Sequence, residues 1–195
     1  MPKPARTETG TITRPDAHPT VRVWDWVVRL FHWSLVASFA TAWLTAHSSE
    51  DIHHLAGYAA AALIALRVIW GIVGTHYARF SQFTRGPRTV IGYLRAIVTG
   101  SEARYIGHNP AGGAMVLTLM AIMFVAALTG WMTTTDQFWG VEWVSKAHEW
   151  SAKAILMLVF IHLAGVIVAS VRHHENLVRA MLTGRKRMPE PGDVA

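Results

Sequence analysis

The stretch Val144 to Arg172, VSKAHEWSAKAILMLVFIHLAGVIVASVR, constrains this chain more than any other. It sets two histidines, His148 and His162, in one apolar run. Fourteen residues at roughly 100° each fall roughly 40° short of four turns, so both imidazoles leave the same helix face. At a rise of about 1.5 Å per residue, roughly 21 Å of axis separates them. That span is too long for one metal ion. It suits two large cofactors hung on one side of a helix, one toward each end. Haem iron accepts imidazole as an axial ligand. The stretch is therefore expected to be the shared post of two haems, each iron completing its coordination on another helix.

Composition narrows the class. Only 15% of the 195 residues are charged and 52% are hydrophobic, against about 25% charged in an ordinary soluble domain. Several runs approach the roughly 20 apolar residues that cross a bilayer. An integral membrane protein is expected. The net charge of +6 raises nucleic acid as a partner, but the basic residues sort by membrane side and form no recognition motif. There is no cysteine, which excludes disulfides, iron–sulfur clusters, thiolate-ligated haem and covalent haem attachment. No nucleophile elbow, phosphate loop or carboxylate pair suggests hydrolysis or phosphoryl transfer.

Four spans are expected, near Trp26–Ala46, Ile52–Val73, Gly113–Met132 and Val144–Arg172. Residues 1–22 read as a polar tail, 23–187 as the transmembrane domain, and 188–195 as a C-terminal tail. No cleavable leader is expected, because the first apolar run starts late and continues as a full span. Between the second and third spans, Pro87–Thr99 has apolar residues at helical spacing, with Pro first and Gly100 last. It is too short to span and is expected to lie in the interface. Thr133–Ser145 is expected to be a further surface-lying segment, and Glu175–Thr183 a short surface helix. The fold class is all-α: a four-helix integral membrane bundle binding two b-type haems, with short interfacial helices.

Lys and Arg outside the spans set the orientation. Five precede or begin the first span, five lie in the second connection, five follow from Arg172, and Lys146 alone falls on the other side. The positive-inside rule then places both termini in the cytoplasm. This topology assigns depths. His32 and His162 belong near the inner face, His53 and His148 near the outer face. The expected axial ligands are thus His32 with His162 and His53 with His148. A lone histidine in a span can be a packing residue, but ionisable groups there are costly and usually functional. A metal-ion or proton pathway would want carboxylates at mid-membrane, and the spans have none there, Glu149 lying at the outer edge.

His54 points about 100° from His53 and is second choice as a ligand. His18, His47, His76 and His108 lie outside the spans, where solvated or capping roles are expected. Arg67 lies fourteen residues past His53, on the same face at the inner depth. Either it meets a haem propionate or it snorkels to the inner headgroups. Lys153 either pairs with Glu149 one turn away or lines a quinone or propionate site. Gly57, Gly130 and Gly165 leave room for porphyrin or for close helix packing.

Several motifs together resemble the bacterial di-haem membrane cytochrome b family, which includes the cytochrome b-561 type and the cytochrome b subunits of nickel–iron hydrogenases. They are Phe31-His32-Trp33, His53 with Gly57 and Arg67, Tyr105-Ile-Gly-His-Asn-Pro110, His148-Glu149, and His162. The resemblance covers about Val21 to Arg187. It implies a bacterial inner membrane protein with His32, His53, His148 and His162 as axial ligands, and its glycine and arginine offsets favour His53 over His54. The Tyr105–Pro110 and Asn176–Lys186 stretches resemble the hydrogenase subunits more than the stand-alone quinone-linked members.

With histidine on both axial positions, iron has no open site and passes electrons without binding substrate. The expected function is electron transfer between a periplasmic redox protein and the quinone pool. That donor would be a hydrogenase, a molybdoenzyme or a c-type cytochrome. The alternative is a self-sufficient quinone oxidoreductase acting on a small periplasmic species such as superoxide. Other expected partners are membrane lipid and, as a possibility for assembly, a second copy of the chain. Outer-face Glu50, Asp51, Asp136 and Glu142 suit a basic redox partner.

Overall fold

Every expected span is a helix, and the long second connection and the C-terminal segment fold onto one end of the bundle. The computed structural model describes residues 19–194. Most of the expected N-terminal tail, with Lys3, Arg6, Arg14 and His18, lies outside them, as does Ala195. A short strand β1 (Thr20–Arg22) leads into α1 (Trp26–Thr45) and α2 (Glu50–Val73). A 3-10 turn (His76–Ala78), α3 (Phe80–Phe83) and α4 (Pro87–Thr99) form the long connection. Then come α5 (Pro110–Thr133), α6 (Glu142–Arg172), α7 (Leu177–Thr183) and β2 (Arg185–Arg187). The helices α1, α2, α5 and α6 are each long and apolar enough to cross a membrane. Their outward faces carry Leu30, Leu44, Ile72, Phe160 and Val171, all exposed. So much exposed apolar surface is stable only against lipid.

The expected interfacial helix is α4, with Pro87 at its first turn and Gly100 closing it in the left-handed conformation, the arrangement that satisfies terminal carbonyls. The expected surface segment before α6 has no regular structure. Residues 134–141 make a chain of turns without a helix, and exposed Trp139 and Trp143 flank the entry to α6. The turns are held by Thr133, Thr134 and Thr135, whose hydroxyls donate to carbonyls of the last turn of α5. That competition with the backbone favours turns over helix.

Contacts run in a chain: α1 lies along α2, α2 meets α5, and α5 lies along α6. Helices α1 and α6 make no extended contact with each other. At mid-bundle an apolar layer joins them: Ile64, Met120, Met123, Ala126 and Ile155 are buried, with Leu35, Phe39 and Val159 against them. A second core caps the end where β1 and β2 lie, built from Val23, Trp24, Val28, Ala78, Ile106 and Ala180. We call this the basic end, because the arginines of the long connection and of the C-terminal segment gather there.

The cap is closed by pairing of β1 with β2, antiparallel, Val21 opposite Lys186. Gly184 makes the turn into β2 at φ +79, and its carbonyl accepts from Val23 and Trp24 at 2.9 and 3.1 Å. A side chain at this position would meet the Trp24 carbonyl at 2.5 Å. Ordered contacts continue beyond Arg187: Val194 donates to the Arg104 carbonyl at 2.8 Å and accepts from Ile106 at 2.9 Å.

Asp25 ties this cap to the bundle. Its carboxylate caps α1 through Val28 N at 2.8 Å and accepts from Trp70 Nε1 at 3.1 Å and from Thr75 Oγ1. Burial pushes its pKa up, but hydrogen bonds from Thr75, Val28 and Trp70 outweigh that and hold it below the ordinary 3.8. A folded pKa below the unfolded one gives stability that is complete above 3.8 and fades as pH falls through the lower folded value. Asp25→Ala should therefore cost about 1–2 kcal/mol at neutral pH from the cap alone. Thermal unfolding in detergent should show the gap from wild type at pH 7 and its closure in strong acid.

Candidate functional site: paired histidines at two levels of the bundle

The histidines of α2 and α6 meet at the acidic end. The His53 and His148 rings lie 5.9 Å apart between centroids and are almost perpendicular. Each is oriented by a neighbouring helix: His53 Nδ1 lies 2.8 Å from the Ala42 carbonyl of α1, and His148 Nδ1 lies 2.8 Å from the Ala126 carbonyl of α5. A carbonyl accepts, so Nδ1 carries the proton on both rings and Nε2 is left with a lone pair. A histidine fixed in this way is set up as a metal ligand. The separation also suits one metal ion between the rings, since metal–imidazole bonds of about 2 Å add to the two ring radii. Room for His148 comes from Gly130, where a Cβ would stand 2.9 Å from the ring. His54 turns away, toward Glu50 at 4.0 Å and the Tyr58 ring.

At the basic end His32 of α1 and His162 of α6 are electrostatic neighbours. The His32 ring stands edge-on to Trp33 at 5.0 Å, and its buried Nδ1 has no hydrogen-bond partner. Arg67 of α2 is 3% exposed. Its Nη2 donates to the Ala78 carbonyl at 3.0 Å, whereas buried Nη1 has no partner. The guanidinium lies over Phe80 at 5.1 Å and faces Phe31 at 6.0 Å. Lys153 of α6 pairs with Glu149 one turn away and sits over the Trp150 ring at 5.1 Å.

Two residues at the basic end were not expected in a site. His108 is not solvated: its ring is packed between Trp24 and Phe83, each 4.6 Å away, and its buried Nδ1 has no partner. Burial first, then the positive charges of Lys186 and Arg67, hold it neutral, well below the ordinary histidine value. Lys186 is 6% exposed, and burial lowers its pKa to about 8. The sequence signal for His108 was its place two residues before Pro110, which starts a span. Lys186 was hidden in a run of three basic residues that reads as a solvated face.

The comparison with known families shows what kind of protein carries these imidazoles. The prokaryotic cytochrome b561 family matches residues 23–184, nearly all of the helical part. The chain belongs to that family. It is a membrane b-type cytochrome and carries electrons through haem. Two relatives extend the likeness over most of the chain. One, from Bradyrhizobium diazoefficiens, is 20% identical over 219 residues, 89% of each chain. The other, from Rhizobium leguminosarum bv. viciae, is 21% identical over 220 residues, 89% of this chain and 92% of its own. Both bear the name probable Ni/Fe-hydrogenase B-type cytochrome subunit. No solved structure matches the chain.

The residues of this cytochrome fit haem. Histidine nitrogens are free at both levels. A Cβ at Gly57, one turn after His53, or at Gly165, one turn after His162, would meet nothing within 4 Å, so there is open space beside these two histidines. Among the described residues no three His, Cys, Asp or Glu groups converge as a bare ion would need. Imidazoles in twos suit a macrocycle that supplies the remaining ligands itself.

Proposed function

We propose that this cytochrome holds two b-type haems, one between His53 and His148 and one between His32 and His162. We further propose that it carries single electrons between a periplasmic redox protein and membrane quinone. The observation that carries this reading is the pair His53 and His148: two rings from different helices, 5.9 Å apart, each with Nδ1 bound to a backbone carbonyl. When bound, the haem would supply one-electron chemistry, and His53, His148, His32 and His162 are the residues that would hold its iron.

The chain's own residues do the rest. The carbonyls of Ala42 and Ala126 fix the tautomer and tilt of His53 and His148, which also raises their basicity as ligands. The layer of Leu35, Phe39, Ile64, Met120, Met123 and Ile155 keeps water out between the two levels. Arg67, buried with one free guanidinium nitrogen, is placed to neutralise a haem propionate. Exposed Glu50, Asp51, Asp136 and Glu142 make the acidic end attractive to a basic partner. In this reading the basic end and both termini face the cytoplasm, following the charge distribution. The relatives' names favour a hydrogenase as the partner.

The test is purified cytochrome in vesicles containing quinone, supplied with candidate donors at the outer face. Quinone reduction should require a partner protein and should slow as ionic strength rises. Turnover with superoxide alone would favour the self-sufficient oxidoreductase. No electron transfer to or from quinone with any donor would sink both.

A further inference from the structure

The basic end buries three basic side chains, and among the described residues no carboxylate is free to pair with them. His108 packs on Trp24 and Phe83, Lys186 lies over Trp24, and Arg67 lies over Phe80, which packs on Phe83, so the three share one neighbourhood, with His162 in electrostatic reach of His108. Arg67 Nη1 and His108 Nδ1 are enclosed without partners. The Lys186 ammonium has only long contacts, 3.4 Å to the Tyr105 carbonyl and 3.5 Å to the Gly107 carbonyl, and lies 5.6 Å over the Trp24 ring.

The nearby acids are committed elsewhere. Asp25, the carboxylate felt by Arg67, accepts from Val28, Trp70 and Thr75. Glu175, felt by Lys186, accepts from Arg104 and from Arg187 N. Asp193 accepts from Arg104 and from Glu190 N. A buried cation without a counter-ion is costly. Two such cations beside an enclosed imidazole call for an anion that the described residues do not supply.

We propose that Lys186 and His108, with Arg67, seat the carboxylates of the haem held by His32 and His162, making the C-terminal strand part of the cofactor site. This rests on the haem placement proposed above. It also explains why β2 is pinned by β1, by Glu175 through Arg187 N and by Arg104 through the Arg187 carbonyl. The pairing fixes Lys186 opposite Val21, with its ammonium turned inward beside Trp24.

The test compares wild type, Lys186→Met and Lys186→Arg, full-length, filled with haem or with haem whose carboxylates are methyl esters. The inner site of wild type should prefer the free acid by about tenfold or more. Lys186→Met should erode that preference and lower the midpoint potential of the inner haem, because a cation that favours the reduced, less positive iron is gone. Lys186→Arg should keep most of both, and the His53/His148 haem should not respond. A lysine that merely packs the cap would leave the potential unmoved, since methionine fills the same volume. Equal binding of acid and ester by wild type would overturn the proposal even if Lys186→Met fails to fold. A lipid phosphate or a quinone carbonyl would then be the ligand of these cations. Wild type with no haem at the inner level would instead overturn the underlying two-haem reading.

Discussion

His162→Leu is expected to remove the haem of the basic end and leave the other in place, halving the haem bound per chain. The complementary His148→Leu should lose the haem of the acidic end. Leucine suits the apolar helix, so α6 should survive both changes. Rescue by a neighbouring imidazole is blocked at each level. His108 is the closest substitute at the basic end, but its ring is packed between Trp24 and Phe83. At the acidic end His54 is directed to Glu50 and Tyr58. Transfer of electrons across the membrane should stop in either variant, since one step of the path is gone. Haem quantification against protein, with redox titration of what remains, would show one surviving component with a different potential in each case. Loss of both haems from either variant would mean that the two levels do not bind independently.

The second large effect concerns the cap. Arg104 is 6% exposed and gathers four segments. Its guanidinium meets Glu175 at 2.9 Å, Asp193, and the Arg187 carbonyl at 3.0 Å, while its own carbonyl holds Val194 at 2.8 Å. Burial alone would lower its pKa, but the bonds and charges of Glu175 and Asp193 raise it. Arg104→Met leaves both carboxylates enclosed without their cation, a loss of about 3–5 kcal/mol. That energy should fall on the cap and not on the bundle, whose helices have their own core at mid-membrane. Hydrogen exchange should speed at Ile106, Arg187 and Val194 while amides near Ile64 and Met123 stay protected. Because the cap holds Lys186, the variant should also weaken the basic-end haem more than the other. Uniform loss of protection through the bundle would contradict a separately opening cap.

The bundle was legible because a membrane leaves few choices. Four apolar runs became α1, α2, α5 and α6 within about two or three residues at most ends. The fourteen-residue interval between His148 and His162 needed only helix geometry to be read. Pro87 and Gly100 bounded α4 for local reasons that any short window contains. What escaped was long-range. His108 reads as a loop histidine until Trp24 and Phe83, distant in sequence, close around it. Lys186 sits among Arg185 and Arg187, and nothing local says that it alone turns inward. That choice follows from strand alternation once β2 pairs with β1. The Arg104 cluster joins residues 104, 175, 187 and 193, and in the sequence these were simply charges on one side. For Arg67 the sequence left two readings, and burial by Phe31, Phe80 and the Ala78 carbonyl places the side chain inside the protein.

The most direct measurement is the number of b-type haems carried by purified wild-type protein under ample haem supply. The account predicts two per chain, titrating as two components that His162→Leu and His148→Leu remove one at a time. A ratio of one or none would contradict it.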